Sequence, residues 1–349
     1  MAESHLVDPG EAVELILRLY SAWGVPEANA RIVTEHLVDN SLAGLHSHGV
    51  LRAPDYLDHA EAGWLDPAAT PEVVQDRGAV VRLDARQGFG QVAAVAAADE
   101  AARRAGDGVV AVVNVVGAAH LGRIGAYVER LARRGMLALA FCSVPTRYHN
   151  VAWFGAREGR LGTNPIAYAF PTAGAPVVAD FATSAVPEGK IRFLRNQGRP
   201  APEGVLRDAG GATTSDPNVL YGDPGGTLQP LGADFGHKGS ALGLLVEVMA
   251  TLLGGERADV HGANSLTLIA LGVERVEPEF RALAQRLVDH IHSAVPIDPH
   301  QPPLVPGEPE QRARDAATHV LFDATTWERL AMRADALGVP MLPSRPESS

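Results

Sequence analysis

At 349 residues, with 46% hydrophobic and 20% charged side chains, the chain has an ordinary globular composition and enough length for one large core or two modest ones; two lobes are expected. Its 30 Lys and Arg against 41 Asp and Glu leave a net charge of −11 without a long basic run, which argues against nucleic acid or an anionic membrane as the main partner. Cys142 is the single cysteine, so an intrachain disulfide is excluded, and no apolar run approaches the roughly 20 residues of a membrane span. The opening Met1-Ala2-Glu3-Ser4-His5 lacks the basic and apolar regions of a secretory signal, and a reducing, cytoplasmic setting is expected. In so acidic a chain, an anionic substrate has to be met by locally placed cations.

Residues 9–45 read as helical. Val13, Ile16, Leu17 and Tyr20 recur at three- and four-residue spacing, Gly24-Val25-Pro26 breaks the run, and Ile32, Val33, Leu37 and Leu42 resume it. From about Val74 short apolar runs at 79–83, 109–113, 137–141, 177–181 and 266–271 alternate with helical stretches rich in Ala and Gly, which predicts an α/β layer structure. Residues 192–231 carry many Gly, Pro, Asp and Thr and read as a long surface excursion. Helical patterns return at 240–253 and 280–294, followed by a proline-rich connector at 296–309 and a last helical region at 310–337. Residues 344–349 read as a frayed tail.

Gly88-Phe89-Gly90-Gln91-Val92-Ala93 matches the G-x-G-x-x-A of a dinucleotide phosphate loop. Asp84-Ala85-Arg86-Gln87 makes the turn too long, and the next strand runs into Asn114 and Gly117 instead of ending on a ribose-binding acid. A helix start beside a glycine turn is the better reading.

The chemistry gathers in five places. Leu45-His46-Ser47-His48-Gly49-Val50-Leu51-Arg52 puts a hydroxyl, an imidazole and a guanidinium at a helix end, and four-residue spacing aligns His48, Arg52 and Tyr56 on one side of a short helix. A histidine that titrates near neutrality beside a carboxylate-gripping arginine suits a small oxo or hydroxy acid. The plainer alternative is a capping histidine, with Arg52 paired to Asp55 or Asp58. A metal-bound His46/His48 pair would need an extended segment, and no metal is expected. Ala119-His120-Leu121-Gly122-Arg123-Ile124-Gly125-Ala126-Tyr127 offers His120 as a second proton donor or a partner for a carbonyl or nicotinamide. Leu161-Gly162-Thr163-Asn164-Pro165 precedes Asp180-Phe181-Ala182-Thr183-Ser184, where hydroxyls and free N–H groups suit a phosphate and Asp180 can orient an imidazole. Gly236-His237-Lys238-Gly239-Ser240 opens a helix in the manner of a phosphate-cradling loop, without the Walker spacing. Pro306-Gly307-Glu308 begins the last helical region.

Taken together, these segments make the chain resemble the type-2 malate/L-lactate dehydrogenase family, whose relatives act on sulfolactate, ureidoglycolate, 2,3-diketogulonate and cyclic imino acids. The resemblance covers nearly the whole chain and rests on the order of the motifs. It implies an α/β, non-Rossmann nicotinamide-binding fold, divided as an N-terminal helical lobe (1–74), a cofactor-binding lobe (75–305) and a C-terminal helical segment (306–349) rejoining the first. It also implies a homodimer. By motif, His48 is the proton donor with Ser47 and Asp180 as its relay, and His120 is the proposed base in some relatives. Arg52 holds the substrate carboxylate, with Tyr56 beside it. His120, Asp180, Phe181, Ala182, Thr183, Ser184, His237, Lys238, Pro306, Gly307 and Glu308 line NAD or NADP. The family usually has Ser-His-Phe-Gly where Ala119-His120-Leu121-Gly122 stands, and Pro-Phe-Gly-Gly where Trp153-Phe154-Gly155-Ala156 stands, which places an indole near the substrate.

The expected function is therefore hydride transfer between NAD(P)H and a small 2-oxo/2-hydroxy acid or cyclic imino acid, the partner being a small carboxylate. Two rivals remain at this point: a non-catalytic NAD(P)-binding descendant of the family, and a metal-dependent hydrolase using His46 and His48.

Overall fold

The computed structural model describes residues 4–144, 149–255, 263–342 and 345–346. The first two helices, Pro9–Trp23 and Glu27–Leu42, fall where the apolar periodicity puts them. Asp8 starts the first by accepting the Gly10 and Glu11 N–H groups at 2.8 and 3.3 Å, and Gly24 ends it at φ +96°. Their inner faces bury Leu15, Ile16, Leu19, Val33 and Leu37, each contributing about 1.5–3 kcal/mol of hydrophobic stabilisation.

The main layer is a seven-stranded mixed sheet. Across it the order is Glu72–Arg77, Val80–Asp84, Val110–Ala118, Asn264–Leu271, Leu137–Ser143, Ile166–Phe170 and Val177–Phe181. Val80–Asp84 pairs parallel with Val110–Ala118, and the other pairings are antiparallel. The strands carry the five apolar runs of the sequence. Helix Gly90–Gly108 crosses between the parallel pair and buries Ala93, Ala94, Ala97, Ala98, Ala101 and Ala105. A stripe of methyl side chains lets the helix axis lie close to the sheet.

That helix starts at the glycine turn, and its close approach is to the protein itself. A Cβ on Gly90 would stand 2.5 Å from the carbonyl oxygens of Ala119 and His120. The space a dinucleotide pyrophosphate would need is thus filled by the backbone that carries His120.

Three expectations change. Residues 310–337 are not continuously helical: strand Val320–Phe322 separates helix Glu308–Ala316 from helix Ala324–Leu337. It pairs antiparallel with His5–Val7, with Leu6 opposite Leu321, and Arg345–Pro346 pairs with His5–Leu6 on the other edge. Val320-Leu321-Phe322 is short and β-prone, and Asp323 behind it accepts the Thr326 N–H at 3.0 Å as a fresh helix cap. Of the tail expected to fray, Arg345–Pro346 forms this edge and the rest lies outside the described residues. Thirdly, residues 192–231 lie largely at the surface, but they fold on a small core of their own. Helix Glu188–Asn196 and the two-residue strands Leu206–Arg207, Thr213–Thr214 and Thr227–Leu228 join Val151–Ala152 and Gly159–Leu161 in a five-stranded sheet. Val151, Ile191, Leu206 and Leu228 are buried in its own core. Strands of two residues are too short to leave an alternating pattern.

The chain ends share one apolar cluster, in which Val7, Leu15, Leu37 and Leu57 meet Val320, Phe322, Leu330 and Ala334. Phe89 and Val92, at the start of the long helix, belong to it and tie it to the main sheet.

Candidate active site

The second helix ends at Leu42, and the chain then makes two 3₁₀ turns, His46–His48 and Val50–Arg52, before helix Ala53–Glu61. His48, Arg52 and Tyr56 therefore do not share one helix face, and only Tyr56 lies on an α-helix. Gly49 joins the turns because Ser41 presses on it: a Cβ would stand 2.2 Å from Ser41 Oγ, which instead accepts the Val50 N–H at 3.0 Å. Asn40 donates to the His48 carbonyl at 3.2 Å. Held in this way, Ser47 Oγ lies 2.9 Å from His48 Nδ1, and Arg52 Nε donates to the Ser47 carbonyl at 3.0 Å. Arg52 also faces Asp55 at 3.4 Å and Glu188 at 3.9 Å. Asp58, the other acid considered for it, pairs with Arg329 and Arg333.

His120 comes from the end of strand Val110–Ala118 and meets His48 ring to ring, centroids 5.8 Å apart and 14° from parallel. Tyr56 stands behind it, its hydroxyl 2.9 Å from His120 Nδ1. Gln91 Nε2 donates to the Tyr56 oxygen at 2.7 Å, which leaves the phenol proton for His120 Nδ1 and puts the neutral ring's own hydrogen on Nε2. Tyr56 is buried. It orients His120 rather than presenting itself as a substrate wall.

Burial, and after it the Arg52 guanidinium, pushes His48 down to about 3 and holds His120 well below the usual imidazole range. Both rings are neutral at neutral pH. Asp180 is moved the other way: burial raises it, against the pull of Arg123 and of the Gly125 N–H that it accepts at 2.6 Å.

A third imidazole, His36, supports the site from behind. Its Nε2 accepts the Arg123 N–H at 3.1 Å and its ring stacks on Tyr127. Gly122, at φ +69°, leaves it room, since a Cβ there would stand 2.2 Å from Nε2. Burial, then Arg123, push His36 down to about 4. An unfolded histidine near 6.5 takes up a proton that the folded ring refuses. Its contribution is complete above pH 6.5 and is lost as pH falls toward 4, by up to about 3 kcal/mol. His36→Gln keeps a side-chain oxygen to accept the N–H without titrating. Urea melts at pH 5 and pH 7 should then differ less in the variant than in the wild type, and an unchanged difference would remove this assignment.

Ser47, His48, Arg123, Thr163, Asp180 and Phe181 line a cavity of about 130 Å³. Arg123 and Val178 also wall a neighbouring cleft of about 340 Å³, which Gly307 and Glu308 line from the far side. Gly307, at φ +97°, lets this loop lie against Val178, whose N–H donates to the Pro306 carbonyl at 3.0 Å. Glu308 accepts the Val305 N–H and meets His292, each at 3.0 Å. Glu310 lines the smaller cavity, and its Oε2 is buried with no hydrogen-bond partner among the described residues. An orphan carboxylate oxygen suits a hydroxyl donor such as a ribose, so the lining fits a nicotinamide dinucleotide.

Other candidates stand elsewhere. Thr183 gives its N–H to the Thr163 carbonyl and its hydroxyl to the Asn164 carbonyl, and Ser184 gives its hydroxyl to Val186. These donors are already committed within the chain. His237 packs on Phe154 and Phe235, and Lys238 lies over the Phe235 ring; neither lines the His48 cavity. Trp153 is 40% exposed on the small sheet and lines neither cavity. His46 stacks on Phe193, away from His48's partner, and among the described residues no three His, Cys, Asp or Glu side chains are arranged to hold a metal ion. Sequence reasoning passed over Arg123, His36, Gln91 and Glu310. Arg123 and Gln91 lie inside segments already singled out, whereas His36 and Glu310 carry no local signal.

Residues 7–331 match the family model described as malate/L-lactate dehydrogenase. Hydroxycarboxylate dehydrogenase B of Escherichia coli (strain K12) is 31% identical over 353 residues, covering 97% of this chain and 96% of that protein. The Delta(1)-pyrroline-2-carboxylate/Delta(1)-piperideine-2-carboxylate reductase of Pseudomonas putida is 34% identical over 320 residues, covering 88% and 90%. The structure of sulfolactate dehydrogenase from Methanocaldococcus jannaschii superposes with a TM-score of 0.85 at 28% identity, covering 96% of this chain and 98% of that one. With matches of this extent over a site built from facing histidines and a nearby arginine, the chain belongs to the malate/L-lactate dehydrogenase family and is a dehydrogenase or reductase of small 2-hydroxy or 2-oxo acids.

Proposed function

We propose that the chain transfers hydride between NAD or NADP and C2 of a small 2-oxo or 2-hydroxy acid, with His48 moving the proton and Arg52 gripping the carboxylate. The observation that carries this reading is the facing pair His48 and His120, 5.8 Å apart, with Arg52 bonded to the residue before His48. The bound nicotinamide supplies the hydride for reduction and receives it in oxidation. His48 gives a proton to the developing alkoxide in reduction and takes it back in oxidation, with Ser47 fixing Nδ1 and so directing Nε2 to the substrate. His120, its hydrogen on Nε2, donates to a carbonyl, either of the substrate or of the carboxamide. Asp180, Glu310 and the Pro306–Glu308 loop hold the dinucleotide, and a bidentate Arg52 contact orients C2.

A cofactor-binding lobe at 75–305, outside the Rossmann pattern, is supported by the single parallel pair of the seven-stranded sheet and the blocked Gly90 helix start. A helical lobe from residues 1–74 and 306–349 is supported by their shared apolar cluster. Homodimerisation is supported by the exposed Leu244, Leu245, Val248, Leu252 and Leu253 along one helical segment. A cytoplasmic location follows from the need for a nicotinamide pool.

Following the absorbance of NADH and NADPH separately against 2-oxo acids, cyclic imines and, in reverse, 2-hydroxy acids tests the reading. Turnover with at least one acid is expected. Coenzyme binding without turnover on any of them would make the chain a non-catalytic descendant.

A further inference from the structure

We propose that a cavity beside the five-stranded sheet is a second binding site, which takes a phosphate ester on a hydroxylated body, that is, a sugar phosphate. The site stands apart from the dehydrogenase reading; only its coupling to the coenzyme rests on that reading.

The cavity measures about 630 Å³, against about 130 and 340 Å³ for the two beside the catalytic turn, and it shares no lining residue with either. Phe154 and Arg157 reach it from the loop after Val151–Ala152, Arg207 and Thr213 from paired strands, and Gln229 and Asp234 from the chain beyond Thr227–Leu228. Arg207 stands opposite Thr213, and Leu206 before it is buried in the small core, so strand alternation turns Arg207 to the other face. Two neutral acceptors fix its guanidinium: Gln229 Oε1 lies 3.0 Å from Nε, and the Gly211 carbonyl 2.9 Å from Nη1. Gly211 also lies against Arg157, since a Cβ on it would stand 3.5 Å from Arg157 Cβ. The hairpin between Leu206–Arg207 and Thr213–Thr214 thus brings the two arginines together. Neither has an ion pair among the described residues, although Asp234 lines the same cavity.

The Gln229 amide narrows what the cavity accepts. Its oxygen faces an N–H of Arg207, and turning the group over would set N–H against N–H, so Nε2 is the free end. That nitrogen is buried and has no hydrogen-bond partner among the described residues. A buried donor of this kind calls for an acceptor oxygen. Two guanidiniums, this amide and the Thr213 hydroxyl form a donor set drawn from four segments. One bidentate arginine satisfies a planar carboxylate, whereas a phosphate with three terminal oxygens uses donors from several directions. The volume exceeds what a phosphate fills. Phe154 offers the rest of the ligand an apolar wall, and Asp234 an acceptor for its hydroxyls.

Gln229 also joins this cavity to the segment behind Asp180. Its carbonyl accepts the Ala185 N–H at 2.7 Å, Leu231 gives its N–H to the Thr183 carbonyl at 2.9 Å, and Ser184 bridges to Pro230 between them. An anion that fixes Arg207 and Gln229 steadies residues 229–231 and, through them, 183–185. Asp180, Phe181 and Ala182, just before, line the catalytic cavity. Bound sugar phosphate therefore favours bound coenzyme, and the coupling is reciprocal.

The test is calorimetric titration of the full chain with ribose 5-phosphate, inorganic phosphate, ribose and citrate, alone and with saturating NADH or NADPH. Ribose 5-phosphate should bind once per chain and more tightly than inorganic phosphate, with ribose and citrate weaker by at least about tenfold. Arg207→Gln should weaken ribose 5-phosphate by about 10- to 150-fold, the range of a lost charge-assisted hydrogen bond, and Arg157→Gln by a similar factor. Gln229→Glu gives Arg207 a carboxylate and turns negative charge toward the phosphate, so it should abolish binding. Arg157 is exposed, and its variant decides the matter even if the other two fail to fold. Saturating ribose 5-phosphate should tighten coenzyme by about fivefold or more in the wild type and not in Arg157→Gln. Displacement of ribose 5-phosphate by coenzyme would assign the arginines to the dinucleotide's own phosphates and overturn the proposal. So would equal affinity in Arg157→Gln, citrate binding as tightly as the sugar phosphate, or no binding of either phosphate. An unchanged coenzyme affinity would remove the coupling. A chain that binds ribose 5-phosphate as expected but turns over no acid with either coenzyme would keep this site and lose the dehydrogenase reading.

Discussion

Replacing His48 with alanine is expected to lower turnover by about 10²- to 10⁴-fold while coenzyme dissociation constants stay near wild type. The ring is held at three points: Asn40 on its carbonyl, Ser47 on Nδ1 and His120 across its face. Neither Asn40 nor Ser47 is an acid that could take its place in the proton step. His120 is the one residue able to compete for the role, because it faces the same space. His120→Ala is therefore the control, and it should cost less, since its Nε2 hydrogen polarises a carbonyl without being transferred. A His48→Ala enzyme that turns over normally, beside a crippled His120→Ala, would exchange the two assignments.

The pH dependence sharpens this. Reduction of an oxo acid consumes a proton, so the ratio of kcat/KM for reduction to that for oxidation has to fall tenfold for each pH unit. Because burial and Arg52 push His48 down to about 3, its ring is neutral in the free enzyme from pH 6 to pH 8. Oxidation needs that neutral form and should be flat over the range. Reduction should carry the entire change, with a slope of about −1, because kcat/KM reports the free enzyme. An ordinary histidine near 6.5 would break both profiles inside the range. A break near pH 6.5 in oxidation would show that the proton carrier is not depressed. Substrate binding supplies the compensation, since an anion against Arg52 removes one cause of the depression and lets the ring take up its proton in the complex.

What could be read in the sequence was what is local. Ser47, His48 and Arg52 lie within six residues, so the chain's own turns bring them together, although as two 3₁₀ turns rather than the single helix face their spacing suggested. Five of the seven main-sheet strands were legible because each is an apolar run, whereas Glu72–Arg77 and Ile166–Phe170 were not read; the phosphate-loop motif could be set aside because its turn is too long. The His120 segment could be singled out, and so could Tyr56, but beside Arg52 and not as the partner of His120; that pairing and the donor Gln91 behind it join three separate elements. Thr183 and Ser184 show the opposite difficulty. Their types fit a phosphate site, yet their donors are satisfied by carbonyls that no spacing rule points to. The small sheet within residues 192–231 escaped the sequence for a related reason: a core of isolated buried residues on two-residue strands leaves no period, and with it the placement of Arg192 was lost.

Asp55→Asn is expected to be the most destabilising of these substitutions, by about 3–5 kcal/mol, because removing one partner strands a partly buried charge. Asp55 is 8% exposed and joins three distant segments. Arg52 belongs to the turn before it, Arg192 to the helix beside the small sheet, and Arg329 to the C-terminal helix. Its carboxyl is held below the usual range, the three guanidiniums prevailing over burial. The stabilisation is present above the ordinary carboxylate value and is lost as pH falls through the lowered one. Asparagine keeps the shape and removes the charge, leaving three cations facing a neutral amide. At an unfolding entropy scaled to this length, the loss corresponds to a melting temperature lower by about 4–7 °C. Arg329 has Asp58 as a second partner, so the uncompensated charge falls mainly on Arg52 and Arg192, beside the histidines. The substrate carboxylate should then bind no more weakly, while its orientation degrades, so kcat should fall more than KM rises. A melting temperature within a degree of wild type would show that Asp55 is dispensable and that the arginines are held apart by packing alone.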